Sequence, residues 1–192
     1  MIETQTNAGS ARPCSSRAFV KQVPFARPDL KTHLIFWSLM IGGLALDLWS
    51  KKAVFDFLRT RESFPIINGF LRLIIAVNSG AAFSLFAGKP YLLAIISIIA
   101  FAGILIVFLF SGCMHRLIHV ALGLFAAGVC GNLYDRLFNN GSVRDFIDVY
   151  WGEYHWPTFN IADSLLCIGV GLLIISTFLT EKPAQKRDQQ QK

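Results

Sequence analysis

The chain alternates long apolar runs with short polar breaks. Pro90 to Phe110 carries no charge and is dense in Ile, Leu, Ala and Phe, which matches the roughly 20 residues an α-helix needs to cross a bilayer core. Leu117 to Tyr134 is a second run, interrupted only by His119, and Phe159 to Thr180 is a third, with Asp163 in its first turn. Leu34 to Leu46 is shorter, but becomes a span if it starts near His33 and continues through Asp47 to Ser50. The pattern predicts four transmembrane helices. A further uncharged stretch, Leu73 to Gly88, contains Asn78, Ser79, Gly80 and Ser84, and unwinding there would strand backbone groups in lipid. Upstream, Ser63 to Ile75 carries Pro65, an Asn68-Gly69 turn signal and β-branched residues, which predict short strands. Residues 51–89 are therefore expected to form an extramembrane cap with β structure, dipping to the membrane surface near Asn78.

Composition agrees with a membrane protein. Of the 192 residues, 54% are hydrophobic and 16% charged, against about 25% charged in soluble domains. The net charge is +6, but the basic side chains sit in tails and loops rather than in one patch, so nucleic acid is not an expected partner. They divide almost evenly between the two sides of the membrane, and the positive-inside rule favours a cytoplasmic N-terminus only slightly. Residues 1–32 lack the apolar core of a signal peptide. Together with residues 181–192, rich in Gln and Lys, they are expected to be disordered tails around a membrane domain of residues 33–180. Cys130 and Cys167 fall in helices, and Cys14 and Cys113 in a tail and a loop. All four read as small packing residues rather than a disulfide framework.

The polar residues inside or beside the spans share one location. Asp47 ends helix 1 and Asn78 precedes helix 2. Asn132, Asp135 and Arg136 close helix 3, and Asn160 and Asp163 open helix 4. In an up-down-up-down bundle these boundaries lie on one rim, and ionisable groups near hydrocarbon suggest function by default. Gly128, Asn132 and Arg136 share one helix face. Asn160, Asp163, Ser164, Cys167 and Gly171 share another. Glycines on these stripes would let helices approach closely. The loop from Gly141 to Asp148 adds Asp145 and Asp148.

Two carboxylates held close cannot both ionise easily, so one keeps a proton while the other accepts one. Such a pair can activate water and protonate a leaving amine. Asp47, Asp135, Asp145, Asp148 and Asp163 are the candidates. There is no HExxH, CxxC, Gly-x-Ser-x-Gly or phosphate-cradling glycine loop, and His33, His115, His119 and His155 are too far apart in sequence to suggest a ligand set. A hard metal held by the acids is a competing reading, as is a small ion transporter. The transporter reading lacks the usual internal repeats and midplane broken helices. A purely structural subunit is a third, against which the clustering of acids with Asn160 and Arg136 argues.

Five ordered blocks carry a resemblance. They are Asp47-Leu-Trp-Ser-Lys51, Asn78-Ser-Gly-Ala-Ala-Phe-Ser84, Gly131-Asn-Leu-Tyr-Asp-Arg136, Val143-Arg-Asp-Phe-Ile147 and Phe159-Asn-Ile-Ala-Asp163. In this order they resemble lipoprotein signal peptidase, signal peptidase II, a bacterial membrane aspartic peptidase family, over residues 33–180. The resemblance implies an all-α membrane fold of four transmembrane helices, with a small extracytoplasmic β-cradle between helices 1 and 2. It implies a multi-pass protein of the bacterial cytoplasmic (inner) membrane, with both termini cytoplasmic and the active site near the outer face. Asp145 and Asp163 match the catalytic dyad, and Asp47, Asn78, Asn132, Arg136 and Asn160 match the polar positions around it. Asp135 fits a structural role, pairing with Arg136 or another neighbour. The implied reaction is hydrolysis of the peptide bond before the diacylglyceryl-modified cysteine of a prolipoprotein. It requires no metal or organic cofactor, and the implied enzyme is a monomer that meets membrane lipids and no nucleic acid. The chain departs from the family pattern at Ala127, where a Gly is usual, and at Cys130, where an aliphatic residue is usual.

Overall fold

A computed structural model describes residues 26–80, 86, 88–112 and 114–180. The disorder expected of residues 1–25 and 181–192 lies outside the described residues, as do the readings for Cys14, Cys113 and Ser84. The elements in order are α1 (Leu30–Phe57), β1 (Ser63–Ile67), β2 (Leu71–Asn78), α2 (Pro90–Leu109), α3 (Arg116–Phe138), β3 (Val143–Trp151), β4 (Tyr154–His155) and α4 (Ile161–Thr180). The four α-helices are each long and apolar enough to cross a membrane.

Local chemistry sets the helix ends. Asp29 caps α1, its carboxylate accepting from Thr32 N at 2.8 Å. Pro90 opens α2, where its missing N–H costs nothing. The His115 ring accepts from Leu117 N at the start of α3. Helix α1 continues to Phe57, about two turns beyond the expected end at Ser50. The first part of the expected cap is thus helix. Nothing in Lys51-Lys52-Ala53-Val54-Phe55-Asp56 breaks a helix, and Lys52 bonds Asp56 at i,i+4 across 2.8 Å.

Helix α3 is the centre of the bundle, packing against α1, α2 and α4. Half of its most apolar window is buried, against 11–17% for the other spans, so those leave most of their apolar surface exposed. Small residues permit the close packing. A Cβ on Gly128 would stand 2.6 Å from the Ala162 carbonyl oxygen, and one on Gly43 would stand 2.8 Å from Ala127 Cβ. Gly171, expected on the same kind of stripe, faces open space, and Gly169 is the glycine of α4 that packs, where a Cβ would stand 3.0 Å from the Phe125 ring. At the opposite end from the acids, Phe36 stacks on Phe108 at 3.9 Å beside Leu122 and Ala126.

The β structure is larger than a cradle between α1 and α2. One antiparallel sheet runs in the order β1-β2-β3-β4, and β3 and β4 come from the α3–α4 connection, where a loop is expected from the sequence. Arg72 pairs with Asp148 and Leu73 with Ile147, but the next pair is Ala76 with Asp145. One extra residue of β2 therefore bulges there, and side-chain parity switches. Before the bulge Arg72 shares a face with Asp148. After it Asn78 shares a face with Asp145. Lying three residues apart on β3, Asp145 and Asp148 point to opposite faces.

Replacing Gly128 with Ala should lower stability by about 1–3 kcal/mol, because the methyl group meets backbone at the α3–α4 contact. Gly103 has open space around its would-be Cβ, so Gly103→Ala should be neutral or stabilising by up to about 1 kcal/mol. Unfolding of both variants in detergent checks this, and equal effects would contradict the packing.

Candidate active site

The polar rim is organised around the start of α4. Asn160 is the residue before the helix. Its side-chain oxygen accepts from Asp163 N at 3.0 Å, while the Asp163 carboxylate accepts from Asn160 N at 3.2 Å. This reciprocal arrangement is a capping box built from Asn and Asp. It fixes the Asn160 amide so that its NH2 faces away from the helix. There it donates to Asp145 Oδ1 at 2.7 Å and to Asn132 Oδ1 at 3.2 Å. Strand β3 reaches this point because Phe159 bonds back to Ile147 in both directions, at 2.9 and 3.1 Å.

Each of the two acids is held on both oxygens. Asp145 accepts from Asn160 on Oδ1 and from Asn78 Nδ2 on Oδ2 at 3.1 Å. Asp163 accepts from Asn132 Nδ2 on Oδ1 at 2.8 Å and from Asn160 N on Oδ2. Asn78 is itself fixed, its oxygen accepting from Gly80 N at 2.9 Å. Arg136 donates to the Asn132 carbonyl at 3.3 Å and to the Gly80 carbonyl at 3.1 Å, tying the end of α3 to the turn after β2. Asp145 is buried, and that burial, followed by the charge of Asp163, pushes its carboxyl up to about 6 against the opposing hydrogen bonds from Asn78 and Asn160.

Behind this first layer lies a chain of alternating charges. Lys51, fully buried, bonds Asp47 at 2.7 Å and Asp135 at 3.2 Å, and donates to Asn132 Oδ1 at 3.3 Å. Asp47 also accepts from Ala162 N at 2.8 Å, joining α1 to the first turn of α4. A Cβ on Gly131 would collide with the Asp47 carboxylate, so glycine is required there. Asp135 accepts from Arg144 N at 2.9 Å and from Arg144 Nη2 at 2.6 Å.

The seven expected site residues thus lie in one connected network. Asp145, Asp163, Asn132, Asn160 and Asn78 form its centre, and Arg136 borders it. Asp47 supports it from behind, through Lys51 and the Ala162 N–H. Asp135 takes the structural role expected of it, paired with the neighbours Arg144 and Lys51. Sequence reasoning did not single out Lys51 or Arg144. The available signal was the i,i+4 spacing of Asp47 and Lys51 at a membrane-facing helix end. Asp148, on the far face of the sheet, bonds Arg72 at 2.6 Å and His155 at 3.0 Å. Burial alone would raise its carboxyl, and these two partners outweigh burial and hold it below the usual carboxylate range. Among the described residues, no three His, Cys, Asp or Glu side chains gather as a metal ligand set.

Residues 39–179 match the family model described as signal peptidase (SPase) II. The chain is 38% identical over 154 residues to a lipoprotein signal peptidase of Geobacter sulfurreducens, covering 79% of this chain and 96% of that one. It is 40% identical to those of Photorhabdus laumondii, with 80% and 93% covered, and Aquifex aeolicus, with 81% and 92% covered. A solved bacterial membrane enzyme structure at 2.3 Å resolution superposes with a TM-score of 0.69 at 30% identity, covering 84% of this chain and 97% of that one.

The raised carboxyl of Asp145 has a consequence for stability. Between about pH 4, where an unfolded Asp titrates, and about 6, the folded protein holds a proton that the unfolded chain has lost. Stability from this group is therefore greatest below that window and falls as pH rises through it, by about 3 kcal/mol at most. Asp145→Asn lacks the titration, so the variant should gain on the wild type as pH rises from about 4 to about 6, with a constant difference above. Unfolding midpoints measured across this range check it, and parallel curves would contradict the shift.

Proposed function

The chain belongs to the signal peptidase II family and removes signal peptides from prolipoproteins, and we propose that it does so as an aspartic endopeptidase whose working carboxylates are Asp145 and Asp163. The observation that carries this reading is the double engagement of Asn160. One side chain bonds Asp145 through its NH2 and the Asp163 backbone through its oxygen, so the strand-borne acid and the helix-borne acid are located by a common part.

In the proposed reaction a water rests between the two carboxyls, one ionised and one protonated. The ionised carboxylate takes a proton from the water as its oxygen attacks the scissile carbonyl carbon. The protonated partner donates to the carbonyl oxygen, where negative charge develops. Collapse of the resulting diol breaks the C–N bond: a dyad proton moves to the leaving nitrogen while a diol hydroxyl returns its own proton to the ionised carboxyl. The products are a new carboxyl end on the signal peptide and a free amine on the cysteine. One proton again remains on the pair. Asn132, Asn160 and Asn78 orient the carboxylates, and Arg136 holds the turn after β2 at the rim. Every proton transfer uses the chain's own carboxyls, without a metal or organic cofactor.

The bond cut is taken to be the one before a diacylglyceryl-modified cysteine. Its acyl chains can remain in lipid between the helices while the peptide lies on the rim beside the sheet. We place the protein as a monomer in the bacterial inner membrane, with both termini cytoplasmic and the sheet and acids near the outer face. Single cysteines introduced at Ser63 and Gln190, with Cys14, Cys113, Cys130 and Cys167 replaced, should label from opposite sides. Labelling from one side would overturn this topology.

Asp145→Asn and Asp163→Asn should each lower cleavage by roughly 10²–10⁴-fold, because Asn keeps the shape of Asp but cannot exchange a proton. Asp148→Asn, on the opposite face of the same strand, should cleave at close to the wild-type rate. The wild-type rate should also fall on both sides of a pH optimum, since the pair works with a single proton. Cleavage of a diacylglyceryl prolipoprotein at matched amounts of folded protein tests the assignment. Near-normal turnover in either dyad variant would sink it.

A further inference from the structure

Lys51 is not needed to move a proton in the scheme above, yet it is fully buried and sits between groups that lead directly to the dyad. A lysine ammonium has three hydrogens to donate and accepts nothing. Here its partners are Asp47 on its own helix and Asp135 and Asn132 on α3. Arg144 of β3 balances Asp135 from the other side, so the chain Asp47, Lys51, Asp135, Arg144 is neutral overall. Beyond Asn132 lie the charged groups Asp145 on β3 and Asp163 on α4, with the Arg136 guanidinium of α3 within electrostatic reach of both and Lys51 within reach of Asp145.

We propose that Lys51 is a positioning residue for peptide cleavage: its ammonium, clamped between Asp47 and Asp135, holds Asn132 Oδ1 so that the Asn132 NH2 is presented to Asp163. The inference rests on the assignment of Asp145 and Asp163 as the dyad. Only an acceptor can face the ammonium, so the contact at 3.3 Å selects the oxygen of Asn132 and turns its NH2 toward Asp163 at 2.8 Å. Asn160 donates to the same oxygen from across the rim, but its NH2 is also committed to Asp145 at 2.7 Å. Without Lys51, Asn132 would be held from one side only. A displacement of even about 1 Å in such a donor can cost on the order of 10²-fold in rate.

A charge-balanced variant separates positioning from folding. Lys51→Met together with Asp47→Asn removes one cation and one anion of similar shape. Asn at position 47 retains an oxygen for the Ala162 N–H. This double variant should unfold close to the wild-type temperature in detergent, with KM for a diacylglyceryl prolipoprotein nearly unchanged. Its kcat should fall by about tenfold to a hundredfold, with the acidic limb of the kcat profile moved to higher pH, because the dyad's ionised form has lost an oriented donor. Lys51→Gln with Asp47→Asn restores a donor that can reach Asn132 and should recover a large part of the loss. A folded Met variant with wild-type kcat, equal kcat in the Met and Gln variants, or a loss with an unchanged pH profile would each overturn the proposal. So would failure of both variants to fold, which would make Lys51 a determinant of folding. Asp163→Asn in the same assay keeps the two readings apart. If it remains active, the dyad assignment has failed. If it is inactive while the Lys51 variants cleave normally, only this inference has failed.

Discussion

An ammonium group taken out of water must be surrounded by acceptors, and Lys51 satisfies that demand by drawing Asp47 from α1 and Asp135 and Asn132 from α3 to one point. The effective penalty for burying such an ion is several kcal/mol, and removing one partner from a buried pair costs about 3–5 kcal/mol. The partners are therefore not interchangeable. Asp47 extends the network to the first turn of α4 through Ala162 N, and Asp135 extends it to β3 through Arg144. Three helices and one strand thus meet at one charge-balanced cluster. Gly131 contributes by being absent as a side chain, leaving the space that the Asp47 carboxylate fills.

The proposed dyad meets this cluster at Asn132, and its two acids arrive on unlike supports. Asp163 is fixed by the capping box of α4, a local device that any helix start can build. Asp145 comes from a strand whose position follows from its bonds to Phe159 and from the bulge in β2. The bulge turns Asn78 to the face of Asp145 while leaving Arg72 with Asp148 on the other. Without the extra residue, side-chain parity would put Asn78 on the wrong face. Burial then gives the arrangement its chemistry. Away from water, the charge of Asp163 adds to burial in raising the Asp145 carboxyl.

Much of this was legible in the chain. The four spans follow from apolar runs long enough for a bilayer, and the gathering of Asp47, Asn132, Asn160 and Asp163 on one rim follows from alternating helix direction alone. The dyad among five candidate acids came from the resemblance of ordered blocks, since spacing did not separate Asp145 from Asp148. Three features were hidden for physical reasons. Helix α1 runs past Ser50 because the charges that signal an exit from the membrane pair with each other at i,i+4. Strand β3 does not alternate polar with apolar residues, as both of its faces are largely covered, and without alternation a strand resembles a loop. Lys51 resembles any lysine at a helix end that stretches toward water, and its burial appears only when α3 is placed beside α1.

The central claim is that burial and the charge of Asp163 raise the carboxyl of Asp145, one of the two proposed working acids. The most direct measurement is the NMR titration of side-chain carboxyl carbons in the full chain in detergent, labelled at aspartate. The account predicts one carboxyl with a midpoint near about 6, absent from Asp145→Asn, and shifted to lower pH in Asp163→Asn because the neighbouring charge is gone. An Asp145 midpoint in the ordinary range near about 4, or one that Asp163→Asn leaves unmoved, would contradict it.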